Sequence, residues 1–149
     1  MITSSWKFGL NIDEIDFIRK SNNDSWDIFD EKSIHLIIYN DNSPVGCGSI
    51  YFDQDNYHIA HLNVLPEFQK QYIGDLMIRL LIVKCFNMMA EKIIINASAL
   101  TKDFFKKYGF KEICGSDLME VTAKTLIMNS KCGHDCSQCI NKENCVSKN

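Results

Sequence analysis

Three groups of residues in this chain have types and spacings that could do chemistry. The first is Leu62–Met77, LNVLPEFQKQYIGDLM. The strand-like run YHIAHLNV (57–64) ends near Pro66, which has no N–H to give a ladder. From Phe68 a helical period takes over, with Ile73, Leu76, Met77, Leu80 and Leu81 at i, i+3, i+4, i+7 and i+8. Between the two, Gln69–Gly74 sets free backbone N–H groups at a helix start, where the dipole favours negative charge. A strand entering a helix through such a turn is a ready anion site, most often for phosphate. The second group is His58 and His61, on the strand leading into that turn. Strict alternation puts them on opposite faces, and either ring titrates near neutrality and could move a proton. Pairing within the sheet is the plainer account of each. The third group is Cys132, Cys136, Cys139 and Cys145, spaced C-x3-C-x2-C-x5-C in a polar stretch with no core of its own. Such crowding is hard to attribute to packing and reads as a metal site. Zinc would take four thiolates, a [4Fe–4S] cluster would take the same set, and His134 is a substitute ligand.

The remaining sequence must position these groups. At 149 residues and 46% hydrophobic content the chain can bury one good core. A net charge of −3 argues against nucleic acid as the main partner and would suit a cationic amine. No basic start with an apolar run follows the first methionine, and Leu76–Met89 is broken by Arg79, Lys84 and Asn87, so a cytoplasmic protein without membrane contact is expected. Residues 2–11 read as a first strand. Asn11 and Asp13 can cap a short helix with Ile12, Ile15, Phe17 and Ile18 on its apolar face, and Ser25–Asp30 reads as a second short helix. Ile34–Tyr39 and Val45–Phe52 form an expected hairpin about the turn-rich Asn40–Pro44, with Gly46 and Gly48 marking a bulge or a close backbone approach. Lys92–Ala97 reads as a buried strand, and Lys111–Cys114 and Leu118–Leu126 as closing strands. Trp6 and Trp26 read as packing residues. Cys47, Cys85 and Cys114 are expected to be buried apolar residues.

Val64-Leu65-Pro66-Glu67-Phe68-Gln69-Lys70-Gln71-Tyr72-Ile73-Gly74-Asp75-Leu76-Met77 follows V-x-P-x-x-[QR]-x-x-G-x-[GA]-x-x-[LM]. This resembles the acyl-CoA signature of the GNAT-type N-acetyltransferases, with Tyr72 where the first glycine is usual. A helical turn would hold Tyr72 without strain, whereas the left-handed region costs a residue with a Cβ about 1–2 kcal/mol. Residues 96–110, NASALTKDFFKKYGF, are similar to the family's second signature, N-A-S-x-x-A-x-x-F-Y-x-K-x-G-F, with Gly109 suited to the left-handed position after a helix. The resemblance covers roughly residues 2–127, with the two signatures in order.

The resemblance implies an α/β (α+β) fold with a mixed, mostly antiparallel central sheet flanked by helices. Residues 1–129 would form the acyl-CoA domain and 130–149 a cysteine-rich extension. It also implies N-acyl transfer from acetyl-CoA to a small-molecule or peptide amine, by direct attack in a ternary complex. Leu62, Asn63 and Val64 would then follow the pantetheine. Gln69, Lys70, Gln71, Tyr72, Ile73, Gly74 and Asp75 would hold the pyrophosphate, and Asn96 and Phe105 would line the arm near the thioester. Family members often carry a tyrosine where Phe105 stands, to protonate the leaving thiolate. Tyr108, one turn on, is the available phenol, and His61 is the candidate base. Two readings stay open. One is this enzyme; the other is a GNAT-like module without turnover that docks a partner or senses redox state through the metal-bound tail. Zinc, an iron–sulfur cluster and disulfides remain alternatives there, and dimerisation is undecided.

Overall fold

The computed structural model describes residues 1–123. The chain forms two compact units, Met1–Ile93 and Ile94–Asn149. The four tail cysteines and the 129/130 boundary lie outside the described residues.

The first unit runs β1 (Ile2–Phe8), α1 (Asp13–Ser21), a 3-10 turn at Asp30–Lys32, β2 (Ile34–Asn40), β3 (Ser43–Asp53), β4 (Asn56–Val64), a 3-10 turn at Pro66–Phe68 and α2 (Ile73–Asn87). β5 (Lys92–Asn96) crosses the division, and the second unit adds α3 (Lys102–Lys106), β6 (Lys111–Glu112) and β7 (Leu118–Thr122). β1 pairs with β2, β2 with β3, β3 with β4 and β6 with β7, all antiparallel. The class is therefore the expected mixed α/β fold, with a mostly antiparallel sheet and helices against it. Among the described residues no helix is long and apolar enough to cross a membrane.

Two-residue turns set the register of the first unit. Asp41 and Asn42 (φ 51° and 71°) join β2 to β3, and Gln54 and Asp55 (φ 51° and 64°) join β3 to β4. Two successive left-handed residues match the twist of the flanking strands, so the first loop is shorter than Asn40–Pro44. Leu36, Ile37 and Ile38 are fully buried, as the unbroken apolar run of β2 requires.

Several local expectations fail for physical reasons. Phe17 is 56% exposed while Ile15 and Ile18 are buried, because residues two apart do not share a helix face. The N-cap of α1 is Ile12, without a side-chain cap, and Asn11 is left-handed at φ 62°. Ser25–Asp30 forms no helix. The Asp30 carboxylate turns back to accept from the Asp27 amide at 2.7 Å, and Asp27 accepts from the Phe29 amide at 2.9 Å. Such side-chain bonds compete with the helical ladder. Trp26 donates to Asp16 at 3.1 Å, and Lys84 sits 5.1 Å from the Trp6 ring centre, so both tryptophans are packing residues.

α2 lies directly against β3 because two glycines leave room. A Cβ on Gly46 would stand 2.8 Å from Met77 Sδ, and one on Gly48 would stand 2.8 Å from Leu81 Cδ1 and 2.9 Å from Leu62 Cδ2. Gly48→Ala is expected to cost about 1–3 kcal/mol by overpacking, read as a lower urea midpoint at unchanged m. An unchanged midpoint would mean that the side chains of α2 move aside freely.

In the second unit the Ala97 amide donates to the Asp117 carbonyl at 2.7 Å, and Gly109 (φ 93°) closes α3 with its amide on the Lys106 carbonyl at 3.0 Å. Phe105 and Phe110 are buried there. β6 is only two residues long, and Cys114 is exposed and left-handed (φ 48°) in the turn to β7, not buried as expected. Cys47 and Cys85 are buried, and burial pushes both thiols up to about 12.

Candidate functional site

A bulge in β4 organises the candidate site of the first unit. Ala60 pairs with Ser49 and Asn63 with Cys47, so His61 and Leu62 both stand opposite Gly48. His61 takes the left-handed turn at φ 56°. The extra residue breaks the alternation that would set His58 and His61 on opposite faces. His58 pairs with Tyr51 and stacks on it at 4.8 Å, and Tyr51 stacks on Phe29 at 4.3 Å. His61 bonds to Asp24 and Asp27. Both histidines therefore face the 24–30 segment. The ring of His58, with Nε2 3.2 Å from the Asp53 carbonyl, is a packing group.

The end of β4 presents backbone away from β3. The Leu65 amide donates to the Val45 carbonyl at 2.8 Å, which makes Gly46 and Val64 a non-hydrogen-bonded pair. The N–H and C=O of Val64 consequently point to the other side of the strand. That carbonyl accepts from Asn22 Nδ2 at 3.0 Å and Gln69 Nε2 at 3.1 Å.

The turn that follows is not helical. Lys70 (φ 66°) and Tyr72 (φ 64°, ψ 12°) are both left-handed, so of the two conformations open to Tyr72 the chain takes the strained, glycine-like one. The strain is about 1–2 kcal/mol. The first helical bond of α2 runs from the Leu76 amide to the Tyr72 carbonyl at 3.1 Å. The amides of Ile73, Gly74 and Asp75 come before it and have no acceptor within the helix. Left-handed residues alternating with their neighbours in front of a helix form an anion-binding concavity of N–H groups.

Beside the bulge lies a cluster that the sequence did not suggest. His61 Nδ1 is 2.8 Å from Asp24 Oδ2, His61 Nε2 is 2.6 Å from Asp27 Oδ2, and Asn63 Nδ2 donates to Asp24 Oδ2 at 2.8 Å. Burial works to raise the Asp24 carboxyl, but the His61 and Asn63 hydrogen bonds outweigh it and hold the group below the usual range. Asp27 is the outer member, with its side chain 40% exposed against 26% for Asp24 and 15% for His61.

A buried polar network anchors this segment. Arg19 Nη1 and Nη2 donate to Asp30 at 2.8 and 2.9 Å, and Nη2 also donates to Ser49 Oγ at 3.0 Å. Ser49 Oγ lies 2.6 Å from His35 Nδ1, and His35 Nε2 lies 2.9 Å from the Gly9 carbonyl. The carbonyl can only accept, so Nε2 carries the proton and Nδ1 accepts a hydrogen bond from the Ser49 hydroxyl. Burial, then the charge of Arg19, lowers the His35 pKa and keeps that ring neutral. Asp27, Asp30 and His61 place potential ligand atoms within 4.8 Å of one another. The Arg19 guanidinium already occupies Asp30, so the trio is not assigned to a metal.

In the second unit Asn96 is exposed at the end of β5. Phe105 is buried against Phe104 and Phe110, with ring centres 5.1 and 5.9 Å away. Tyr108 packs edge-on against Phe104 at 5.4 Å, and its hydroxyl makes no hydrogen bond among the described residues. Cys132, Cys136, Cys139 and Cys145 lie outside those residues.

The family model described as an acetyltransferase (GNAT) domain matches residues 16–130. No curated protein matches the chain in sequence. Three solved structures illustrate the likeness in fold. An acyl-CoA N-acyltransferase from Pseudomonas aeruginosa has a TM-score of 0.68 at 12% identity, over 80% of this chain and 99% of that one. The ribosomal-protein-S18-alanine N-acetyltransferase from Escherichia coli has a TM-score of 0.63 at 14% identity, over 82% and 94%. The N-acetylglutamate synthase from Neisseria gonorrhoeae, complexed with coenzyme A and N-acetyl-glutamate, has a TM-score of 0.65 at 15% identity, over 80% of this chain but 35% of that one. Identities this low speak for the fold alone. The family model, however, spans both signatures and most of the chain, and on that ground the chain belongs to the GNAT acetyltransferase family.

Proposed function

We propose that the protein is an acyl-CoA-dependent N-acyltransferase that moves an acetyl group to a primary amine by direct attack in a ternary complex. The observation that carries this is the end of β4. Val64 turns its N–H and C=O away from β3, and the chain passes at once into a left-handed loop whose N–H groups head α2. An extended amide-bearing arm ending in a pyrophosphate fits that sequence of groups. The arm would pair with the strand end and the phosphates would lie on the amides.

His61 is the proton acceptor in this reading. Asp24 holds Nδ1, and Asp27, the more exposed carboxylate, exchanges Nε2 for the incoming ammonium. With the ring neutral, Nε2 takes one proton from the ammonium. The free amine attacks the thioester carbonyl, the C–N bond forms as the C–S bond breaks, and the second amine proton goes to the departing thiolate. A thiolate leaves readily enough that Phe105 need not be an acid, and Tyr108 is the phenol to test by Tyr108→Phe.

Calorimetric titration with acetyl-CoA is expected to give saturable one-site binding, followed by thiol release in the presence of primary amines. Absence of heat at millimolar acetyl-CoA would overturn the proposal.

A further inference from the structure

Tyr72 is an aromatic ring that the chain holds in a strained conformation and leaves largely exposed. It is 81% exposed at φ 64°, and among the described residues its side chain makes no hydrogen bond, ring contact or cation contact. The strain is not the ordinary consequence of a helix end. At the other terminus of α2, Met89 is also left-handed and exposed (φ 67°), but there the conformation lets the Ala90 amide reach the Cys85 carbonyl at 3.0 Å. Helix starts, by contrast, usually carry an extended residue at the N-cap. Glycine would adopt the same turn freely, so the loop's shape alone accounts for the backbone and not for the ring.

We propose that the Tyr72 ring is the stacking platform for the adenine base of acyl-CoA. This rests on the coenzyme reading above and names the part of the ligand that reading left unplaced. Along the donor, the thioester is followed by the pantetheine, the pyrophosphate and then the nucleoside. With the pantetheine on Val64 and the pyrophosphate on the amides of Ile73, Gly74 and Asp75, the next group outward is the adenine. Tyr72 immediately precedes those amides, and its flat face is open to solvent. A base has a π-face that stacks on such a ring without needing further hydrogen bonds. Lys70, left-handed two residues earlier, adds a cation to the same exposed loop for the ligand's phosphates.

The test compares wild type, Tyr72→Phe and Tyr72→Gly, each titrated with acetyl-CoA and with S-acetyl-4′-phosphopantetheine, which lacks the nucleotide. Tyr72→Phe is expected to bind acetyl-CoA as wild type does. Tyr72→Gly, relieved of strain, should melt at a higher temperature, bind acetyl-CoA about tenfold more weakly, and bind the nucleotide-free donor unchanged. Equal acetyl-CoA affinity in Tyr72→Gly and wild type would overturn the stacking role and leave the coenzyme reading standing. An equal loss for both donors would also overturn it, because the ring would then act only through loop shape. Wild type that binds neither donor overturns the coenzyme reading itself, and this proposal with it.

Discussion

Asp30→Ala is expected to destabilise the protein by about 3–5 kcal/mol, because it strands the Arg19 guanidinium in the core without its counter-charge. Both side chains are 1% exposed and joined by bonds of 2.8 and 2.9 Å. The same substitution removes the acceptor of the Asp27 amide, so the 24–30 segment loosens as well. Urea unfolding measures the loss. The double variant Arg19→Met/Asp30→Leu should recover most of it, since an apolar pair of similar volume needs no compensation. A single variant as stable as wild type would show that the pair contributes nothing.

Acid acts on this network through two groups. Burial alone would raise the Asp30 carboxyl, but the Arg19 bonds and the Asp27 amide outweigh it and hold the group below its ordinary 3.8. Its contribution is complete above that unfolded value and is lost as pH falls through the folded one. His35 is also depressed, from an ordinary 6.5, by burial and then by Arg19. The unfolded chain thus takes up a proton on His35 before the folded chain does. Stability begins to fall below about pH 6.5, well before the Asp30 contribution is lost. His35→Gln should remove the earlier decline and leave the later one.

The second large effect concerns turnover. His61→Asn is expected to lower kcat by about 10²–10⁴-fold, the usual worth of a positioned base, with little change in the affinity for acetyl-CoA. Asparagine is the apt replacement. It tolerates the left-handed φ of 56° at this position and can still hydrogen-bond Asp24, yet it cannot take a proton. Wild-type kcat in this variant would remove His61 from the chemistry. Asp27→Asn should act mainly on the KM of the amine, because it deletes the exposed carboxylate that meets the cation.

What was legible in the sequence was local. The proline after Val64, the period from Ile73 to Leu81 and the glycine at 109 each mark a boundary within a few residues, and the structure has those boundaries. The glycines at 46 and 48 announced a close approach that α2 makes. Contacts formed across long separations were not legible. Asp24 and Asp27 lie 37 and 34 residues from His61, and nothing in the sequence ties either acid to that histidine. Arg19 lies on a helix whose apolar face was assigned partly to Phe17, and nothing in its neighbours announces a buried ion pair. The helix expected at Ser25–Asp30 was lost because the Asp27 and Asp30 carboxylates bond to amides within the segment itself. The face assignment of His58 and His61 failed at a single residue, where the bulge adds one position to a strict alternation. Tyr72 shows the converse limit, since propensity argues against a left-handed tyrosine and the loop imposes it.

The two amides on the Val64 carbonyl have a thermodynamic corollary. Asn22 ends α1 and begins the segment that carries Asp24 and Asp27, yet its side chain bonds the strand atom proposed to receive the donor. A donor that claims that carbonyl competes with Asn22 and frees one anchor of the acceptor's segment, at about 1 kcal/mol, or about fivefold in an equilibrium. Linkage makes such a coupling reciprocal. An amine that engages residues 22–27 must alter the affinity for acetyl-CoA by the same factor, so the two substrates sense each other through one shared oxygen as well as at the reacting carbonyl.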